Sequence, residues 1–526
     1  MKWKIYILLL VVLSIGFASC EQFLDTLPDN RTQIDTEKKI NQLLVSAYPG
    51  ANYAVLAELS SDNFVDNNAI LPVQLSAYER MHDEIFAWEP VTSSTAQDSP
   101  SYVWESCYAA IATANQVLEA IAELTEQDAS LDLSAQKGEA LLCRAYNHFI
   151  LVNIFAQAYK DKERSQEDLG IPYVTQPETV VSGDYKRESV QEVYAKIEED
   201  LEAGLVLISD HHYTVPKYHF NTKAANAFAA RFYLYKRDYQ KVVQYANKVL
   251  GANPINLMRK WDVDYDNVDA IIYDYVSINQ AANFLLLPTS SLFGRIYGNR
   301  YGHNYDAMWG STYGSGPTWS TVLPAFDGKL YISVQQDYGV FFPKASEMFE
   351  YTDKVAGIGF THIVRAEFTA EETLLCRAEA LIYLNRISEA IADLQVWNSS
   401  HLAPEELTLD VINNFYKPNN ILFVKGLRNT KMSNQFKITA EQLPLIHCVL
   451  HFRRIETMFD GYRWFDIKRY GIEITHNIDG KGLQRLSFDD ERRAIQLPQE
   501  VISAGMESNP RTMDAQSSEM YEKFKN

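Results

Sequence analysis

Six aromatic residues, Tyr297, Tyr301, Tyr305, Trp309, Tyr313 and Trp319, recur within one stretch, interleaved with Gly298, Asn299, Gly302, His303, Asn304, Asp306 and Gly310. Flat ring faces cover the C–H surface of a sugar or an extended polar chain, while amides and carboxylates meet its hydroxyls or amides. The spacing near four suits a helical stripe, but three glycines among the rings oppose a stable helix, so loops are expected to carry them. Trp309, Tyr305 and Trp319 lead as ligand contacts, with Tyr301, Asn304 and Tyr313 beside them. Two roles fit these residues equally: a ligand surface, or rings that anchor their own loop onto neighbouring helices. A second polar cluster, Ser61, Asp62, Asn63, Asp66, Asn67 and Asn68, suits turns and caps as well as a ligand.

Other spacings fall short of chemistry. Asp262, Asp264 and Asp266 alternate as in a calcium loop, but Asn267 stands where that loop needs glycine and Tyr273 where it needs glutamate. His447 and His451 share a helix face, yet Cys448 follows the first in place of a metalloprotease glutamate, so packing is their expected role. There is no nucleophile elbow, no P-loop and no glycine-rich dinucleotide fingerprint. No metal, no cofactor and no catalysis is expected. A formal net charge of -20 repels phosphate backbones and excludes nucleic acid as a partner.

The elements that must position these residues read as mostly α. Leu141-Leu142-Cys143-Arg144-Ala145 is repeated as Leu374-Leu375-Cys376-Arg377-Ala378, each with a glutamate two residues upstream, Glu139 and Glu372. Apolar residues after the second copy continue a helix, a turn follows over 385–388, and Ala390, Ile391 and Leu394 line a partner helix. A third hairpin runs from Ala224 to Leu250, turning at Arg237-Asp238, with alanines at the crossing as in tetratricopeptide-type pairs. Further helices are expected over 101–124, 189–207 and 445–459. Between Tyr265 and Gly359 the periodicity fades into a long irregular insert in which Phe284-Leu285-Leu286-Leu287 reads as a short strand. Cys107, Cys143, Cys376 and Cys448 are expected as buried thiols. The Arg453 to Gly471 block mixes Arg, Asp and aromatic rings and is expected to lock a helix junction.

Lys2 and Lys4 precede an apolar run from Ile5 to Phe17, and Ala18-Ser19-Cys20 closes it with small residues and a thiol. As a helix that run spans about 20 Å against roughly 30 Å of hydrocarbon, so a cleaved signal over 1–19 is expected, not a membrane span. The ending resembles a bacterial lipoprotein box, with Cys20 as the lipidated residue and acyl chains as the anchor.

Taken together, the Cys20 box with Phe23-Leu24-Asp25 and Pro28, the Arg144-Ala145 helix, Ala229-Ala230-Arg231-Phe232-Tyr233-Leu234 with Asp238-Tyr239, Arg377-Ala378-Glu379-Ala380, the Arg453–Gly471 block and Ser508-Asn509-Pro510 resemble the RagB/SusD family of outer-membrane nutrient-binding lipoproteins. The resemblance implies an all-α, tetratricopeptide-like superhelix with a loop-rich insert over about 265–359, its N-terminal region spanning 20–260 and its C-terminal region 261–526. It also implies a surface-exposed protein, lipid-anchored in the outer membrane and without enzymatic activity. Such a protein captures oligosaccharide or peptide for a SusC-like TonB-dependent β-barrel transporter. The family has no fixed set of ligand residues, so the aromatic positions above are a reading of this chain alone. A helical scaffold that holds the transporter without touching nutrient is the alternative from another class, and a lipid-anchored glycosidase a third.

Overall fold

A computed structural model describes residues 34–69, 78–177, 185–295, 300–325, 332–334, 339–427 and 437–511. Sixteen α-helices appear among the described residues. The first three are α1 (Glu37–Leu44), α2 (Ala54–Ser60) and α3 (Arg80–Phe86), followed by α4 (Pro100–Gln127), α5 (Ser134–Phe155) and α6 (Val190–Leu207). Next come α7 (Thr222–Lys236), α8 (Tyr239–Leu250), α9 (Val268–Tyr275), the single turn α10 (Tyr305–Met308), α11 (Ala370–Tyr383) and α12 (Ile387–Ser400). The last are α13 (Leu409–Phe415), α14 (Leu443–Glu456), α15 (Tyr462–Tyr470) and α16 (Gln499–Ser503). Among these helices none is long and apolar enough to cross a membrane.

Helix α5 packs against both α4 and α6, α7 against α8, and α8 against α11, which in turn meets α12 and α14. The repeated Leu-Leu-Cys-Arg-Ala motif has a common physical outcome. Arg144 on α5 forks onto Asp200 of α6, with nitrogen–oxygen distances of 2.7 and 2.6 Å, and Arg377 on α11 forks onto Asp393 of α12 at 2.8 and 2.6 Å. Each copy therefore fastens its helix to the next by a two-pronged charge-assisted bond. The α7–α8 turn lies where expected: Arg237 adopts a left-handed conformation (φ 68°) and the Asp238 side chain caps α8 by accepting from the Lys241 amide.

Caps define other boundaries. Ser189 accepts from the Glu192 amide at 3.2 Å, and the Glu192 carboxylate accepts from the Ser189 amide at 2.9 Å, a reciprocal box at the start of α6. Ser189→Ala is expected to cost about 1 kcal/mol in urea unfolding, and an unchanged midpoint would show that α6 needs no cap.

The strands are subordinate. β1 (Val65–Asp66) pairs antiparallel with β3 (Tyr301–Gly302), and β8 (Ile474–Ile478) pairs with β9 (Gly482–Leu486). β4 (Ile332–Val334) pairs with β5 (Gly339–Phe341). A three-stranded sheet has the order β2-β7-β6, built from β2 (Asn283–Thr289), β6 (Glu347–Asp353) and β7 (Ile358–Thr369). The expected Phe284–Leu287 strand is the core of β2. Among the described residues the insert thus holds the two-turn α9, the single turn α10 and several short strands, and it joins the helices through the sheet. One contiguous set of buried apolar side chains runs from Ile40 to Leu497. Cys107, Cys143, Cys376 and Cys448 are buried free thiols.

An ionic frame runs through this core. Arg231 on α7 meets Glu367 on β7 at 2.7 Å and Glu372 on α11 at 3.2 Å, and its guanidinium lies between the rings of Phe368 and Tyr462, 4.2 and 4.4 Å from their centroids. Arg453 on α14 approaches Asp466 at 3.3 Å, and Arg469 on α15 bonds Glu379 at 2.8 Å and Asp466 at 2.6 Å. The Arg453–Gly471 block is therefore buried structure that ties α14 and α15 to α11.

Candidate ligand-binding surface

The two polar clusters singled out in the sequence meet in space. Pairing of β1 with β3 sets Val65 opposite Gly302 and Asp66 opposite Tyr301. The buried Asn304 amide donates to Asn67 Oδ1 at 3.0 Å, and its own oxygen accepts from the Ala307 amide at 3.2 Å, capping α10. Arg300, just before β3, bridges Asp66 at 3.1 Å and Asp83 on α3 at 3.4 Å. Asp83 also accepts the hydroxyls of Tyr301, at 2.5 Å, and Tyr78.

The rings part company. Tyr301 and Tyr313 are buried, and Trp319 is only 5% exposed, with its indole N–H donating to the Tyr313 carbonyl at 3.0 Å. Gly316 admits that indole: a Cβ there would sit 2.2 Å from a ring carbon. Trp309 is 38% exposed. It opens a π-helical turn, Trp309–Tyr313, that follows α10, and its indole rests on the backbone of Gly314, where a Cβ would approach to 2.6 Å. Its orientation is thus set by packing, with one side left to solvent. Tyr305 begins α10, but its side chain, together with Tyr297 and the lipidation candidate Cys20, lies outside the described residues. Asn304 reads here as a cap and Tyr301, Tyr313 and Trp319 as loop anchors, whereas Trp309 keeps a face open to solvent.

Beneath the same turn lies a narrow cleft of about 30 Å³ lined by Ser311, Leu422, Phe423, Lys425, His447 and Arg454, with Arg463 at its wall. Asp62 is the acid that its three cations share. Arg463 forks onto Asp62 at 2.7 and 3.0 Å, Arg454 lies 3.6 Å away and Lys425 3.9 Å away. Burial alone would raise the Asp62 pKa, but Arg454 and Arg463 hold it well below the usual carboxylate range. The same positive field, added to burial, pushes His447 down to about 4 and His451 to about 3. His451 uses both ring nitrogens structurally, one with the Tyr416 hydroxyl at 2.8 Å and the other with the Thr312 carbonyl at 2.6 Å. His447 and His451 thus pack, as expected, and no group of three or more metal-ligating side chains occurs among the described residues. No local sequence pattern marks the cleft, because Asp62 and its partner arginines are about four hundred positions apart.

A larger cavity of about 240 Å³ shares no lining residue with this surface; Tyr159, Arg237, Lys468, Arg493 and Asn509 line part of it. Two of its cations serve backbone ends. Lys468 donates to the Ala156 carbonyl at 2.7 Å and also to that of Asn153, and Arg493 donates to the carbonyls of Ile467 and Ile472 at 2.8 and 2.6 Å. These bonds close the C-terminal ends of α5 and α15.

Fold and surface together define a helical-repeat protein with a buried ionic core and a narrow cleft beside the turn that carries the exposed Trp309. The sequence profile of SusD-like proteins, described as "Starch-binding associating with outer membrane", matches residues 22–234. Two SusD-like proteins of Formosa agariphila are 21% and 23% identical; the alignments cover 92% and 76% of this chain and 95% and 77% of theirs. Among solved structures, a putative sugar binding protein from Bacteroides vulgatus superposes with a TM-score of 0.64 at 18% identity, over 91% of this chain and 99% of that one. A SusD superfamily protein from Bacteroides thetaiotaomicron gives 0.59 at 18% identity, over 90% and 98%. The profile match over residues 22–234 and the two Formosa relatives support a SusD/RagB family protein, and the helical fold is shared with these solved structures.

Proposed function

We propose that this protein is a non-catalytic oligosaccharide-binding lipoprotein of the outer membrane. In this reading it is tethered through Cys20 and hands its ligand to a SusC-like TonB-dependent β-barrel. The observation that carries the binding step is Trp309, a large indole fixed by Gly314 yet 38% exposed on an otherwise packed loop. A preordered ring loses little conformational freedom when a sugar stacks on it, and an open surface recovers only part of the desolvation cost. Binding is therefore modest and reversible, which suits transfer to a transporter. The matched family description and the sugar-binding name of the B. vulgatus neighbour support a glycan over a peptide.

Calorimetry against a panel of neutral oligosaccharides and peptides tests this reading. Trp309→Ala is expected to weaken the best glycan roughly tenfold, equivalent to about 1.4 kcal/mol. Equal affinity in wild type and variant would remove Trp309 from the site, and tighter binding of peptides would transfer the function to them. Release of new reducing ends from any glycan would overturn the non-catalytic assignment. Purification from the native membrane should recover a large β-barrel protein alongside, and its absence would dismiss the transporter partnership.

A further inference from the structure

We infer that the cleft beside Trp309 is a subsite for an anionic group on the glycan, a carboxylate or a sulfate, so that acidic oligosaccharides are the preferred ligands. This rests on the glycan-binding reading above.

Charge counting at the cleft gives the first argument. Lys425, Arg454 and Arg463 all lie within 4 Å of one carboxylate, Asp62, on the distances already given. The next acids are engaged elsewhere. Glu58 accepts from the Asn63 amide and the Gly461 amide, both at 3.0 Å, and Asp466 pairs with Arg453 and Arg469. Among the described residues three cations thus face a single carboxylate, in a chain that is strongly acidic as a whole. Partly buried charge in excess is costly unless an opposite charge compensates it.

Shape gives the second. A water molecule needs about 10–15 Å³ of such space, so a cleft of about 30 Å³ suits one charged head group and is too small for a sugar ring. The sugar body must remain outside. There it meets Ser311, on the same π-helical turn as Trp309, and the exposed Leu422. Phe423 and His447 wall the cleft with ring surface, and Arg454 is spoken for on one edge only, by Asn63 Oδ1 and the Asp62 carbonyl, both at 2.8 Å. Guanidinium groups present planar forks that match carboxylate or sulfate oxygens.

Chemistry at the rim gives the third. Among the described residues Lys425 makes one ionic contact, the 3.9 Å approach to Asp62, and its side chain is more than a third exposed. A weakly held cation at the mouth of a cleft is free to turn toward an arriving anion, and it contributes little to the fold.

The test compares matched ligands on the intact protein by calorimetry at low and high salt. An oligogalacturonate is paired with its methyl ester, and a sulfated oligosaccharide with its desulfated form. The acid member of at least one pair is expected to bind at least tenfold tighter at low salt, with the advantage shrinking as salt screens it. The pair that responds identifies the group. Lys425→Gln should remove most of that advantage while leaving the ester's affinity and the melting temperature unchanged. Equal binding of acid and neutral members, or an undiminished preference in Lys425→Gln, overturns the anionic subsite while leaving neutral glycan capture standing. Failure of every glycan, acid or neutral, overturns the glycan-binding reading itself, and selective binding of acidic peptides reassigns the cleft to a different class of ligand.

Discussion

Arg231→Met is expected to destabilise the protein by about 3–5 kcal/mol, the range for removing one partner of a buried ionic group. The side chain is 2% exposed and fills the space between Phe368 and Tyr462. Methionine fills comparable volume without the charge, so the loss reports electrostatics more than a cavity. Glu367 would keep Arg365, at 2.8 Å, and the hydroxyls of Tyr53 and Tyr462, at 3.1 and 3.0 Å. Glu372 would keep only the Cys376 thiol at 3.1 Å and a longer contact with Arg453 at 3.7 Å. Burial raises the Glu367 pKa, and Arg365 with Arg231 more than reverse it; removing Arg231 weakens that compensation. Arg231→Lys should recover little, because an ammonium cannot fork to two carboxylates at once. Adding Glu372→Gln to Arg231→Met should regain part of the stability. Urea unfolding at neutral pH measures all three, and a loss below about 1 kcal/mol for Arg231→Met would mean that the frame is redundant.

Stability is also expected to fall steeply as pH drops below about 6.5, the ordinary imidazole value. Burial pushes His148, His303 and His451 down to about 3, and His82 and His447 to about 4. A depressed imidazole contributes stability above its unfolded pKa and loses it as pH falls toward the folded value, so these five residues weaken the fold between about pH 6.5 and 3. Glu58 and Asp98 act the other way. Burial raises each to about 7, so their contribution is complete below the ordinary carboxylate range and is lost as pH rises through 7. Each group changes stability by at most about 1.4 kcal/mol per pH unit, and five opposed by two leaves a net loss on the acid side. Lys468, lowered to about 7 by burial with Arg493 adding to it, titrates above this window. Chemical denaturation from pH 8 to 4 should give its highest midpoint at the alkaline end and a steep fall below about 6.5; a flat profile would mean that these imidazoles are solvated.

Much of the helical frame was legible because close-packed hairpins leave a local imprint. Alanines at helix crossings marked α7 and α8, and the twin Leu-Leu-Cys-Arg-Ala motifs marked two helices that use the same arginine-to-aspartate clasp. β7 was not legible. Arg365 and Glu367 make it look like a solvent-facing segment, yet both are buried because each neutralises the other at 2.8 Å. In the insert, the identity of the rings was plain but their exposure was not. Trp309 and Trp319 are chemically alike and ten positions apart; one faces solvent and the other is sealed against Gly316. That difference is set by contacts with remote elements, and so is the convergence of Asp62 with Lys425, Arg454 and Arg463, for which no neighbouring residue gives a clue.

The order in which the chain is made bears on how it matures. Residues near the end hold residues near the beginning: Arg463 clasps Asp62, Lys468 caps carbonyls at the end of α5, and the Asn509 amide donates to the Phe155 carbonyl at 2.9 Å. Until that late segment emerges from the ribosome, the early hairpins have open backbone ends and an unanswered carboxylate. The early helices are thus finished by contacts that only residues after Gly461 supply.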